Sequence, residues 1–153
     1  MAITASGMYG LTLEKFLIDT AGFSLESETA VACCMVLDAE VPAFDTDNFR
    51  DDVTANEVVA GDGYTAGGMT IVGTELTVGS PAAGQIKYDS TDPAWVASTI
   101  TNAMAAVLYN STGVAAADQL IFLSDFVTAA TSSNGTFTIQ IAVNGWWYVD
   151  YTP

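Results

Sequence analysis

The sequence predicts a mainly β protein, an antiparallel β-sandwich or barrel with a short N-terminal helix and an extended N-terminal arm. Three observations point there. From Val58 onward the chain falls into short apolar runs, each bounded by Gly, Ser, Pro or Asp, which is the pattern of many short strands. Asn144-Gly145 stands between two such runs, the strongest local hairpin signal available to a sequence. Half of the 153 residues are hydrophobic and only 14% are charged, so the chain's acidity is not that of a disordered tail. The length suits one domain, divided as arm and helix over residues 1–27 and a β-rich domain over 28–153.

The neutral start, Met1 to Tyr9, carries no charge and is read as an arm able to pair with a neighbour's sheet edge. Leu13-Glu-Lys-Phe-Leu-Ile18 follows with good helix formers. Thr12 is placed to cap it, Gly22 to stop it, and Leu13, Phe16 and Leu17 form its apolar side. Thr29 to Asp38 reads as a central strand, because Val31, Cys33, Met35 and Leu37 on one face are matched by Ala30, Ala32, Cys34 and Val36 on the other. Pro42 to Thr54 is polar and reads as a loop with a short helical turn. Val58-Val59, Met69 to Val72, Glu75 to Val78 and Gln85 to Tyr88 are short strands, and Leu120 to Val127 and Thr136 to Val143 longer ones. Asn102 to Tyr109 reads as a strand, although its alanines also suit a helix.

A two-residue turn at Asn144-Gly145 would set Val143 opposite Trp146, Ile141 opposite Tyr148 and Ile139 opposite Asp150 on a core face. The other face would hold Trp147, Val149 and Tyr151 among Thr138 and Gln140. That aromatic set is the candidate interface unless another layer covers it.

Composition excludes several functions. Lys15, Arg50 and Lys87 are the only basic residues against 18 acidic ones, a net charge of −15, so no cationic footprint exists for nucleic acid or an anionic membrane. The start lacks the basic and apolar parts of a secretory signal, and no apolar run is long enough to span a bilayer. Cys33 and Cys34 are adjacent, which disfavours a bond between them, and they read as free buried thiols of a reducing cytoplasm.

With no histidine the usual general base, the Ser-His and Cys-His pairs and nearly all catalytic zinc sites are missing. Gly61-Asp-Gly63-Tyr-Thr-Ala-Gly67-Gly68 is not a phosphate loop, since no Lys-Ser or Lys-Thr follows and Asp62 would repel phosphate; it reads as a glycine-rich turn into a strand. Asp45, Asp47, Asp51 and Asp52 resemble the start of a calcium loop. Phe49 and Arg50 stand where an EF-hand needs a ligand and a glycine, which leaves weak calcium binding or a solvated acidic loop. No catalytic residue and no cofactor is implied.

Asn56-Glu57-Val58, Gly61-Asp-Gly63-Tyr64-Thr65-Ala-Gly67-Gly68 and Ser133-Asn134-Gly135-Thr136-Phe137-Thr138-Ile139 together resemble a family of small tailed-bacteriophage structural proteins. Between them, in the family's order, stand Tyr88-Asp89, Asp92, Trp95, Ala97-Ser98-Thr99-Ile100-Thr101, Ala106-Val107-Leu108-Tyr109-Asn110, Leu120-Ile121 and Asp125-Phe126. Phe49-Arg50-Asp51-Asp52-Val53 precedes them. The resemblance covers roughly residues 28 to 143. It departs at Asn102-Ala103-Met104, where the family has an Ala-Arg core, and at the Trp146-Trp147-Tyr148 ending. It implies a non-enzymatic virion component made in the host cytoplasm, with the major capsid protein or other virion proteins as partners. The favoured role is a capsid decoration or cement protein, a homo-oligomer and most simply a trimer, bound to the outer shell through the arm and the aromatic surface. The alternative is a minor tail or head-fibre protein touching the host surface. A small hydrolase relying on carboxylates alone is the least favoured reading.

Overall fold

The computed structural model describes residues 3–152. In chain order the elements are β1 (Gly7–Met8), α1 (Gly10–Leu17), β2 (Val31–Leu37), β3 (Met69–Thr70), β4 (Glu75–Val78), β5 (Gln85–Asp89), β6 (Ala94–Ser98), β7 (Ala103–Asn110), β8 (Leu120–Ala130), β9 (Gly135–Thr138) and β10 (Trp147–Asp150). The protein is mainly antiparallel β with one short helix, and its sheets do not close into a barrel. A five-stranded sheet runs β1-β8-β7-β2-β3; a three-stranded sheet runs β10-β5-β4; β6 and β9 form a pair. No helix among the described residues is long and apolar enough to cross a membrane.

The double-sided apolar pattern of β2 has its expected meaning. Val31, Cys33 and Met35 enter one buried cluster, while Ala32, Cys34 and Val36 enter a second on the opposite face. The first cluster is completed by Tyr88, Trp95, Phe137 and Trp146 from the smaller sheets and the loop before β10. The second is completed by Ile3, Tyr9, Phe44 and Val53, so the N-terminal segment and the 40–56 loop cover that face. β7 is a strand despite its alanines, and its neighbours explain why. Flanked by β2 and β8 it is buried on both sides from Ala103 to Tyr109, where small side chains let the covering layers approach. Bulges at Ala103–Ala105 and Leu108–Tyr109 put consecutive residues on one face, so Met104 and Ala105 share a cluster, as do Ile121 and Phe122.

Several expectations are corrected. The arm does not extend from the domain: β1 pairs with β8 through Gly7–Leu123 and Met8–Phe122, and Ile3 and Tyr9 are fully buried. Met1 and Ala2, the tip of the expected arm, lie outside the described residues. The helix starts two residues before Thr12, with Tyr9 as its N-cap, and Thr12 is buried within it. It stops at a left-handed Asp19 (φ 56°), three residues before Gly22. There Asp19 N–H donates to Phe16 O and Thr20 N–H to Lys15 O. Only Phe16 of its expected apolar side turns inward, against Phe23, while Leu13 and Leu17 are exposed.

Val58-Val59 makes no strand. Val58 N–H donates to Met35 O and the chain then leaves the ladder. β6 is a strand the residue pattern did not show, because Ala97 at φ 49° and a register shift between Trp95 and Ser98 interrupt its alternation.

The C-terminal hairpin is the largest correction. β9 pairs with β6, and β10 pairs with β5 in the register Trp147–Tyr88, Tyr148–Lys87, Val149–Ile86 and Asp150–Gln85. A turn does occur, but it closes one residue early, with Gly145 N–H donating to Ala142 O and Trp146 N–H to Tyr88 O. Ile139 N–H to Pro93 O and Ile141 N–H to the Asp92 carboxylate carry the connecting chain away from β9. Two separate partner strands outweigh the local turn preference.

Candidate interaction surface

The glycine-rich signature folds as expected, into a tight turn leading to β3. Gly61 and Tyr64 exchange both backbone hydrogen bonds (2.8 and 3.0 Å) around Asp62 (φ 44°) and Gly63 (φ 83°). Tyr64 thereby points inward, where its Oη donates to Glu57 Oε1 (2.9 Å) and accepts the Met35 N–H (3.0 Å). Glu57 Oε1 also accepts from Gly67 N–H, and Glu57 Oε2 accepts from Arg50 Nη1 at 3.3 Å. Arg50 Nε donates to Asp118 Oδ2 at 3.0 Å, and Asp118 Oδ1 accepts from the Thr112 N–H and hydroxyl. The guanidinium lies over the Tyr109 ring, whose hydroxyl donates to Gly67 O. One cation thus ties two nearly buried carboxylates from segments 61 residues apart in the chain, with side-chain exposures of 15% for Arg50, 8% for Glu57 and 1% for Asp118.

This network went unrecognised in the sequence. A usable signal was present: one of only three cations stands seven residues before the signature glutamate. Around it burial pushes the Tyr64 and Tyr109 hydroxyls and the Cys33 and Cys34 thiols up, so the thiols stay protonated and inert at neutral pH. Both cysteines are free and buried on opposite faces of β2.

The four aspartates of the calcium candidate are not gathered into one site. Asp47 accepts from Ala43 N–H, Asp52 from Asn48 and Phe49 N–H, and the backbone carbonyl of Asp51 from the Thr54 hydroxyl. Asp45 is exposed on the same loop. Among the described residues no group of three or more metal-ligating side chains forms. A cleft of about 550 Å³ is lined by Leu37, Asp38, Val58, Val59, Asp62, Thr99 and Asn102 with their neighbours. Its polar side chains are the Asp38 and Asp62 carboxylates, the Thr99 and Thr101 hydroxyls and the Asn102 amide.

The aromatic candidates do share a face, on a different sheet from the one expected. Cross-strand pairing puts Leu76, Tyr88 and Trp147 in one row of the three-stranded sheet, and Val78, Ile86 and Val149 in the next. Tyr151 continues that face, its N–H donating to Gly84 O at 2.9 Å. The first row belongs to the core. Tyr88 is fully buried, with its hydroxyl on Leu25 O, and Trp147 stacks on it at 5.5 Å and is half-buried. The second row runs out past the core: Val78 is 70% exposed, Val149 45% and Tyr151 57%. Trp147 is therefore an anchor of the sheet, and the exposed part is Val78, Val149 and Tyr151, with Ile86 half-buried between the valines. Trp146 is buried as expected, with Nε1 donating to Ser90 Oγ. A second apolar stripe is formed by Leu13 and Leu17 on α1 with Ile18 at its C-cap.

No family model matches the chain, and neither a curated protein nor a solved structure shows significant similarity to it.

Proposed function

We propose that this chain is a non-enzymatic structural protein of a tailed-phage virion, a β-sandwich that decorates or cements the outer head shell. The observation that carries this reading is where the signature residues lie. Arg50, Glu57, Tyr64 and Gly67, which bear the resemblance, all serve the interior network, so the motif builds a scaffold and no catalytic group. What the molecule turns outward is surface: an apolar sheet face, an apolar helix stripe and a predominantly acidic exterior. The sandwich reading rests on the first core cluster, which draws side chains from the five-stranded sheet and from both smaller sheets. The N-terminal segment is folded on its own sheet, so attachment is assigned to the apolar surfaces. The partners are the major capsid protein or neighbouring virion proteins, and no cofactor takes part.

The copy number of the chain relative to the major capsid protein, measured by quantitative mass spectrometry of purified virions, tests the proposal. A ratio near parity, or a fixed large fraction of it, is expected. A handful of copies per particle would assign the chain to the tail or a head fibre, and its absence from virions would overturn the structural role.

A further inference from the structure

We propose that the cleft between the end of β2, the 58–62 segment and the link from β6 to β7 binds a basic side chain, lysine or arginine, on a segment of a partner protein. The inference goes beyond the virion reading and does not depend on it.

The chemistry of the cleft selects the ligand. Two carboxylates line it, Asp38 and Asp62, and among the described residues its lining holds no cation and no aromatic ring. An anion is repelled there. A sugar or a nucleobase would find no ring to stack on. A wholly apolar ligand would strip water from the carboxylates and put nothing in its place. What fits is a cation on a hydrocarbon stem, the stem covering Leu37, Val58 and Val59 and the head meeting the carboxylates. Val59 is 80% exposed, so apolar surface lies open to solvent beside the charges. Thr99, Thr101 and Asn102 complete the lining with hydroxyl and amide groups. These match the N–H and C=O groups of a peptide backbone and have no counterpart on a free polyamine, which favours a protein segment as the source.

The three basic side chains of the chain itself are committed elsewhere. Lys15 donates to Asn48 Oδ1 and lies over the Phe49 ring, Arg50 is held by Glu57 and Asp118, and Lys87 pairs with Asp89 at 2.7 Å. The acidic residues bordering the lining segments are engaged as well, Glu40 accepting from Asn56 Nδ2 and Glu57 from Arg50 and the Gly67 N–H. A net charge of −15 adds long-range attraction for a basic partner. The walls of the cleft are also fixed in advance. Asp62 takes the left-handed position (φ 44°) of the turn closed by Gly61 and Tyr64, and its carbonyl accepts the Thr99 N–H at 2.8 Å. Asn102 (φ 56°) donates its N–H to Thr131 Oγ1, and Ile100 exchanges both backbone hydrogen bonds with Ser132. Little order therefore has to be imposed on binding.

Proton–nitrogen correlation spectra of the full chain, titrated with acetyl-Ala-Lys-Ala-amide or its arginine counterpart in about 150 mM salt, test the inference. The expected result is saturable shifts confined to the end of β2 and to residues 58–62 and 99–102, with a dissociation constant in the millimolar range or below. Asp62→Gly removes the carboxylate, suits the left-handed backbone and should weaken binding about 10-fold. Val59→Ser should weaken it several-fold through the lost contact with the stem. Asp51→Asn, on the exposed turn at 50–52, makes the same change in net charge and should bind as the wild type does. The same spectra report the fold of each variant. Acetyl-Ala-norleucine-Ala-amide, which keeps the stem without the charge, should not bind, and putrescine should bind more weakly than the lysine peptide. An absence of shifts, shifts spread over the acidic 40–56 loop, equal affinity in Asp62→Gly and wild type, or equal affinity for putrescine and peptide would each overturn the inference. None of these outcomes bears on the virion reading, which the copy number decides.

Discussion

Arg50 is the residue on which the interior depends most. Its guanidinium sits between Glu57 and Asp118, carboxylates that are 8% and 1% exposed, and no other cation is within either network to replace it. Removing one partner from a buried ion set leaves uncompensated charge, which costs about 3–5 kcal/mol. Arg50→Met, which keeps the side-chain bulk, is expected to lower folding stability by that amount. Glu57→Gln should lose about 1–2 kcal/mol, because the amide retains an acceptor for Gly67 N–H and Tyr64 Oη. Urea unfolding with an unchanged slope measures both, and a loss under about 1 kcal/mol for Arg50→Met would show that the carboxylates are solvated instead. Gly68 is fixed by a different constraint. A Cβ there would overlap the Cys33 carbonyl, so the second glycine of the pair allows β3 to lie against β2.

At the level of elements, the two adjacent tryptophans separate folding from surface. Trp146→Ala removes a buried ring and its Ser90 hydrogen bond and should cost about 3–5 kcal/mol. Trp147→Ala removes a half-buried ring stacked on Tyr88 and should cost less, about 1–3 kcal/mol. Trp147 Nε1 is buried without a partner among the described residues, so Trp147→Phe should be neutral or stabilising when the three tryptophan variants are compared by thermal unfolding. A larger loss for Trp147→Ala than for Trp146→Ala would reverse the assignment of anchor and core. These elements also show what the sequence discloses and what it conceals. β2 was legible because burial on both faces leaves its mark residue by residue, and β4 and β5 because turn residues bracket them. Which strand pairs with which is set by long-range packing, and so Asn144-Gly145 misdirected the C-terminal pairing. The helix boundaries were misread because Asp19, not a glycine, takes the left-handed position. Trp147, Val149 and Tyr151 still share one face, since their alternation holds whatever strand lies opposite, but Trp147 packs against the core and only Val149 and Tyr151 are exposed.

Across the whole molecule the excess of carboxylates makes stability depend on pH through the few that folding buries. Glu40 is 4% exposed. Burial first, and then the nearby Asp47 and Asp52, raise its pKa above the ordinary 4.5, against the opposing hydrogen bond from Asn56 Nδ2. Between the ordinary and the raised value the folded chain therefore binds a proton at Glu40 more readily than the unfolded chain does. Its contribution is fully present below the ordinary carboxylate value and is lost as pH rises through the raised one. Glu40→Gln retains the acceptor for Asn56 and removes the charge. It should match or exceed the wild type at pH 7, and its advantage should shrink as pH falls toward 4.5. Urea unfolding of both proteins in half-unit steps from about pH 4 to 7 isolates this group from the remaining carboxylates, which the two share. An advantage that grows on acidification would mean that the carboxylate is stabilised as an anion, with Asn56 outweighing burial and the acidic neighbours.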